Sequence, residues 1–372
     1  MKIEDIREDF DVFNKYVYLN TAAFSPIPRQ TIKKISEYLS LRRYGTVEID
    51  EEEILGEARN LVAMLLNASE EEVAFTLNTG HGLNIVANGL EYGDGDNVVV
   101  ADCDFPSVVY PFLNKGVDVR FVKCRNWSLR IDDLERLVDD HTRIIAVSHV
   151  QFTSGYRIDV KDLVEIAHEH DALVVVDVAQ SLGAVKVDVK DWDVDVIVGI
   201  GYKWLMSPTG IGFLYVKRER IDEIKPSLPG WASVKNRDEF STTTLNLFDN
   251  ARRYETGNLC LSCVVGLAES IKYLCKLDLA WVENRVLELS HYAIERLGEC
   301  EESEIYTPLD KRYRAGIVFF RLKNTSSSKI VDDLRNKNII VSGRKGCIRV
   351  STHFYNSRQD VDRMVSYLEE LT

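Results

Sequence analysis

Three short stretches carry residue types that can do chemistry. The first is GIGYKWLMSPTGIGFLYVK, residues 199–217, where small residues close an apolar strand and Tyr202, Lys203 and Trp204 follow. Lys203 then stands at the carboxyl end of a strand among apolar neighbours. Desolvation there lowers an amine's pKa and makes it a nucleophile able to form a Schiff base. A lysine snorkelling from a strand end is the plain structural alternative. The second stretch is LVVVDVAQSLGA, in which Asp177 ends a strongly apolar strand 26 residues before Lys203. A buried carboxylate is costly unless a cation faces it, so something positive should lie opposite Asp177; a helix N-cap is the competing reading. The third is FTLNTGHGLNIVANGL, where a strand gives way at Thr79-Gly80 to an amphipathic helix. Free amides at a helix start attract anions, although an ordinary Thr or Asn cap has the same appearance. No GxxxxGK[ST] loop is present.

A Schiff-base lysine, a buried carboxylate and an anion-binding helix start are together what pyridoxal phosphate needs. The carboxylate would face its protonated ring nitrogen, and Gln180 would reach its phenolic oxygen. The order and spacing of these stretches, Asp-x-Ala-Gln followed by Lys-x4-Pro-Thr-Gly-Ile-Gly, resemble the class V family of fold-type I pyridoxal-phosphate enzymes. That family includes aminotransferases, cysteine desulfurases, kynureninases and isopenicillin N epimerase-like proteins. The likeness runs from YLNTAAFSPIP (18–28) to RVSTHFYNSRQDVDRMV (349–365).

The resemblance implies roles residue by residue. Lys203 would carry the cofactor, Asp177 would pair with the ring nitrogen, and Gln180 would contact the phenolic oxygen. Thr79 and Gly80, with His81 nearby, would hold the phosphate. Tyr202 occupies the place of a phosphate-binding histidine in the desulfurase branch, and Phe105 that of the ring stacked on the cofactor, which is histidine in desulfurases. The segment RRYETGNLCL resembles one that crosses a homodimer interface, so Asn258 would reach the phosphate of the neighbouring subunit. Arg349 would bind the substrate α-carboxylate through a bidentate fork. His149 and Gln151 match a stretch near the cofactor, with core packing the expectation for His149.

Departures from the pattern narrow the chemistry. A desulfurase needs a nucleophilic cysteine on a mobile loop ahead of the arginine, and here SGRKG joins two strands. Cys347 is the remaining candidate, two residues before Arg349 on the same strand and hence on the same face. The expectation is therefore a class V aminotransferase acting on a small amino acid. A cysteine desulfurase or C–S lyase is the alternative, and an isopenicillin N epimerase-like activity comes third. His168 and His170 are two apart on a helix and share no face, so no metal site is expected.

The elements that must position these residues are legible as runs. EVAFT, NVVVA, VRFVKC, RIIAVSHV, LVVVDV and DVIVGIG alternate with helical patterns from about residue 70 to 216. Continuous Val/Ile runs suit strands buried on both faces, as in a parallel sheet covered by helices. After about residue 250 come long helices and the short strands AGIVFFRL, NIIVSG and CIRVS, a smaller α+β texture. With the resemblance, this predicts an α/β fold-type I architecture with a mostly parallel seven-stranded sheet in the large domain. The expected parts are a 1–17 segment packing with the small domain, a large domain over 18–255 and a small α+β domain over 256–372.

Composition limits the partners. Of 372 residues, 46 are Lys or Arg and 59 are Asp or Glu, giving a net charge of −13, the wrong sign for tracking nucleic acid or anionic lipid. The charged start MKIEDIREDFD and the lack of an apolar run of membrane-spanning length predict a cytoplasmic protein. Seven cysteines, an odd number, fit that compartment; Cys260 and Cys263 form a CxxC, read here as small buried hydrophobes. The remaining expected partner is an anionic small molecule, an amino acid.

Overall fold

The computed structural model describes residues 2–371. Its strands are β1 (Val17–Tyr18), β2 (Val73–Thr76), β3 (Asn97–Ala101), β4 (Asp118–Val122), β5 (Thr142–Ser148), β6 (Leu173–Asp177), β7 (Val196–Ile200), β8 (Gly212–Val216), β9 (Ser303–Ile305), β10 (Ile317–Leu322), β11 (Ile339–Ile340), β12 (Ser342–Arg344) and β13 (Cys347–Ser351). The α-helices are α1 (Ile3–Arg7), α2 (Arg29–Leu41), α3 (Glu51–Leu66), α4 (Thr79–Gly89), α5 (Pro106–Lys115), α6 (Ile131–Glu135), α7 (Val160–His168), α8 (Val189–Trp192), α9 (Leu261–Lys276), α10 (Leu279–Gly298), α11 (Ser327–Asn336) and α12 (Arg358–Leu371).

The Val/Ile runs form one seven-stranded sheet in the order β2-β8-β7-β6-β5-β3-β4. β8 lies antiparallel to both its neighbours, and the other pairings are parallel. Alternate side chains go to opposite faces, so each inner strand feeds two cores. Ile145, Val147, Val174 and Val176 join α3, α7 and α9 in one, while Ile144, Ala146, Val175 and Val198 join α4 and α5 in the other. Burial on both faces explains why these runs are continuous rather than alternating. β4, at the sheet edge, is the least buried strand and reads DVRFV, with two charges.

The C-terminal part is a four-stranded antiparallel sheet, β12-β13-β10-β9. One face, with Val318, Phe320, Ile348 and Val350, is covered by α10, α11 and α12. The chain start joins it, since β1 pairs with β11 and Arg7 forms an ion pair with Asp360 of α12. The core divides later than the sequence texture. α9 lies on α2 and α3, and Val282 and Val286 of α10 sit in the large core. Ala293, Ile294 and Leu297 of the same helix sit in the small one. A continuous 20-residue helix serves both bodies, and its amphipathic pattern gives no sign of where one ends.

Two expectations about cysteine are corrected. Cys103 and Cys124 are joined as a disulfide, with Cα atoms 5.9 Å apart, because β3 and β4 are parallel neighbours that end together. Cys260 is exposed and Cys263 half-buried, so the CxxC is not core packing. Among the described residues no helix is long and apolar enough to cross a membrane.

Candidate active site

The parallel strands β5, β6 and β7 end side by side, and their carboxyl ends meet the start of α4. In an open α/β sheet this edge is where a crevice forms. Here it is a cavity of about 550 Å³ bounded by Thr79, Gly80, Phe105, Asp177, Gln180, Tyr202 and Lys203, together with Asn78, Ser107, Ser148, Phe152, Thr209 and Gly210.

Lys203 follows β7 on a short loop, with its Nζ 5.6 Å from the centre of the Phe105 ring and 5.9 Å from that of Tyr202. Burial lowers its pKa to about 8; Asp177 opposes that shift, and Arg349 and Arg344 add to it. Asp177, at the end of β6, is buried. Burial raises its pKa to about 6 against the stabilising effects of the Ala179 N–H, which donates to Oδ1 at 2.7 Å, and of Lys203. A buried carboxyl whose charge is opposed by desolvation is completed by a cation, and a protonated pyridine nitrogen is one.

The lysine loop is held from two sides. Trp204 Nε1 donates to Gln180 Oε1 at 2.9 Å, and Gln180 Nε2 donates to the Ala22 carbonyl at 3.0 Å. That leaves Gln180 one amide hydrogen for a ligand oxygen. The Trp204 carbonyl meets His353 Nε2 at 2.9 Å, while His353 Nδ1 accepts from the Phe354 N–H. Burial pushes the pKa of His353 down to about 3, so it is a neutral donor that ties the small domain to the loop.

At the anion end, Asn78 caps α4 by accepting from the His81 N–H at 2.9 Å. First-turn amides lack intrahelical acceptors and remain available to a phosphate. A Cβ on Gly80 would meet Asn78 Oδ1 at 3.2 Å, so a side chain would crowd this cradle. His81 itself departs from expectation: it does not line the cavity, because its Nδ1 folds back to accept from the Leu77 N–H at 3.2 Å.

Phe105 is positioned from behind. Asp104, buried, accepts from the Phe105 N–H, the Ser148 N–H and hydroxyl, and Gln151 Nε2. Gln151 therefore acts through Asp104. His149 points away from the cavity and packs 4.7 Å from the Trp192 ring in a separate polar pocket. Asn258 is exposed and does not line the cavity of its own chain.

Arg349 reaches over from β13. It is buried, and its Nη1 donates to the Phe152 carbonyl at 2.7 Å. Its Nε and Nη2 are buried without a partner. Burial and Arg344 hold its pKa below the ordinary arginine range. Two orphaned guanidinium N–H groups set beside a cofactor-sized cavity match a carboxylate. Cys347 does not reach the site. It lies buried at the foot of a groove with Arg321 and Arg344, and the two-residue turn Lys345-Gly346, both with positive φ, leaves no loop to carry it.

Ser107, Thr209 and Gly210 line the cavity without a role that the sequence assigns to them. The Pro106 helix start and the Pro-Thr-Gly turn are the signals that would have found them. Phe152 adjoins Gln151 in the stretch that the resemblance places near the cofactor, and Arg344 acts on Lys203 only by its charge, from a neighbouring groove.

The sheet order, the lysine loop facing a buried carboxylate and the capped helix start define a fold-type I enzyme that uses pyridoxal phosphate, and the residues present fit that cofactor. The model of the family "Aminotransferase class-V" matches residues 17–364. The chain belongs to that family. It is 30% identical over 401 aligned positions to a protein of Methanothermobacter thermautotrophicus called a probable cysteine desulfurase, covering all of this chain and 98% of that one. A protein of Pyrococcus abyssi with the same description is 30% identical, covering 99% of this chain and 97% of its own. Among solved structures, an apo cysteine desulfurase from Thermococcus onnurineus NA1 superposes with a TM-score of 0.91 at 28% identity, covering 100% of this chain and 98% of that one. The first alignment is longer than this 372-residue chain, so that relative carries residues with no counterpart here.

Proposed function

We propose that the protein breaks the Cβ–S bond of a small amino acid of the cysteine type. The full-length likeness to proteins described as cysteine desulfurases carries this reading, which replaces transamination as first choice. Bound pyridoxal phosphate supplies a sink for the electrons left when Cα loses its proton. The chain's residues do the rest. Arg349 grips the α-carboxylate with Nε and Nη2, which fixes Cα near the lysine. Lys203, whose amine loses its proton near pH 8 instead of in the ordinary lysine range, removes the Cα proton as general base. Asp177 keeps a proton on the ring nitrogen, and Thr79 and Gly80 hold the phosphate.

Because Cys347 lies outside the cavity, the sulfur leaves as sulfide and no persulfide forms on that residue. Incubation with L-cysteine should then give sulfide, pyruvate and ammonia in equal amounts, and Cys347→Ala should leave the yield unchanged. Alanine with a protein persulfide lost in Cys347→Ala would reject this scheme in favour of a desulfurase relay. A second reading, transamination, is favoured by Phe105, an aromatic without an acid/base group where desulfurases have histidine. It predicts no sulfide and a new amino acid when a 2-oxo acid is added.

The same reading includes a homodimer in which Asn258 reaches the neighbouring subunit's phosphate. Asn258→Leu should then weaken cofactor retention in gel filtration without dissociating the dimer. Unchanged retention would remove Asn258 from the site.

A further inference from the structure

The hairpin that carries Arg349 holds a second arginine on the same face. In the antiparallel register of β12 and β13, Ser342 stands opposite Arg349 and Arg344 opposite Cys347. Directly opposed residues send their side chains to one face, and so do residues two apart on a strand. Ser342, Arg344, Cys347 and Arg349 therefore share the face turned away from the small core, which takes Ile348 and Val350 from the other side. Ser342 is buried, and its hydroxyl has no partner; Nε and Nη2 of Arg349 are in the same condition. Arg344 lacks a counter-charge. Its side chain donates from Nη1 to the Gly343 carbonyl at 2.7 Å, and among the described residues no carboxylate pairs with it. Arg321, in the same groove, is by contrast held by Glu304 at 2.6 Å. That groove, of about 910 Å³, is lined by Arg321, Lys323, Arg344 and Lys345 and by no Asp or Glu. The charge of Arg344 lowers the pKa of both Arg349 and Lys203, so it lies close to the reacting end of the site. Two neighbouring guanidinium groups with no acid between them call for an anion each. Their rows are about 7 Å apart along the hairpin, within reach of a substrate chain of about five to seven bonds.

We propose that the substrate is a cysteine derivative whose sulfur bears a second carboxylate, and that Arg344, with the Ser342 hydroxyl, binds that carboxylate while Arg349 holds the first. This substrate class presupposes the C–S cleavage proposed above and adds to it the identity of the leaving group. Loss of the Cα proton and rupture of the Cβ–S bond send both bond electrons to sulfur. The group leaves as a thiolate with its carboxylate still attached, and water converts the remainder to pyruvate and ammonia. Cysteine itself binds through Arg349 alone and leaves Arg344 and Ser342 unmatched, which makes it the weaker ligand.

The test sets two compounds of nearly equal shape, S-carboxymethyl-L-cysteine and its neutral amide S-carbamoylmethyl-L-cysteine, against each other on the holoenzyme. Binding is read from the visible absorbance of the bound cofactor, and cleavage from pyruvate. The acid should half-saturate the spectral change at a concentration at least about 10-fold below that of the amide. In Arg344→Gln the ratio should fall to near one, and in Ser342→Ala it should shrink; taking a ratio cancels any effect of Arg344 on Lys203 that both compounds feel. Equal half-saturation in the wild type, or a preference that survives Arg344→Gln, overturns the assignment whether or not pyruvate forms. Tighter binding of the acid that is lost in Arg344→Gln, with no pyruvate from either compound, supports the carboxylate site and rejects the C–S cleavage.

Discussion

Lys203 is useful because burial sets its proton affinity. An amine condenses with a carbonyl only when unprotonated, and the folded chain brings that condition down from the ordinary lysine range to about 8. The sign follows: protonated and slow below that value, neutral and fast above it. Capture of pyridoxal phosphate by the apoprotein should therefore accelerate as pH rises through about 8 and then level off, followed by growth of the visible absorbance. A rate still climbing towards the pKa of free lysine would contradict the burial argument. In the role proposed for Arg349, shape matters as well as charge. Lysine at that position keeps the charge but lacks the planar fork, and one charged hydrogen bond is worth about 1.5–3 kcal/mol. Arg349→Lys should raise the KM for the amino acid by roughly 10- to 150-fold with a smaller effect on kcat. Equal loss in both would show that the arginine does more than hold the carboxylate.

At the scale of elements, the turn after Asp177 and the loop of Lys203 are fitted together. Gly183 has φ +94°, and a Cβ there would lie 2.6 Å from the Trp204 carbonyl oxygen and 2.8 Å from its carbon. Those atoms are backbone and cannot rotate aside. Gly183→Ala should cost at least about 1–3 kcal/mol from the conformation alone, seen in urea unfolding, and should lower cofactor occupancy by displacing Lys203. A variant with full stability would show that the loop yields freely. The same elements explain what was readable from the chain. Lys203, Asp177 and Thr79 each stand where an apolar run stops, so local pattern marks them. Phe152 enters the cavity wall through sheet order, and the charge of Arg344, in a separate groove, is felt at Lys203 only through the packing of the small sheet on the large body. Nothing near Arg344 in sequence announces it, whereas Phe152 adjoins Gln151 in a stretch that the resemblance places near the cofactor. The Cys103–Cys124 pair has the same origin: two parallel strands ending together bring residues 21 apart into contact. His81 differs from the expectation because a helix start offers two directions to its first-turn side chains, and here the imidazole satisfies a loop amide instead of facing the cavity.

For the whole molecule, the net charge of −13 sits beside a site that holds Lys203, with Arg349 and Arg344 near enough to lower its pKa and Asp177 as the counter-charge. Local cations, not bulk charge, draw in an anionic cofactor and substrate. The bond from Arg349 Nη1 to the Phe152 carbonyl has a consequence of a mechanical kind. It fastens the small sheet to the large body through the same guanidinium that is proposed to grip the substrate, so the fork is half-anchored before any ligand arrives. The molecule should therefore act as a socket already at its working width, not as jaws that must shut. Small-angle scattering of the holoenzyme should give the same radius of gyration with and without a saturating unreactive amino acid, and a contraction on binding would mean that the socket opens when empty.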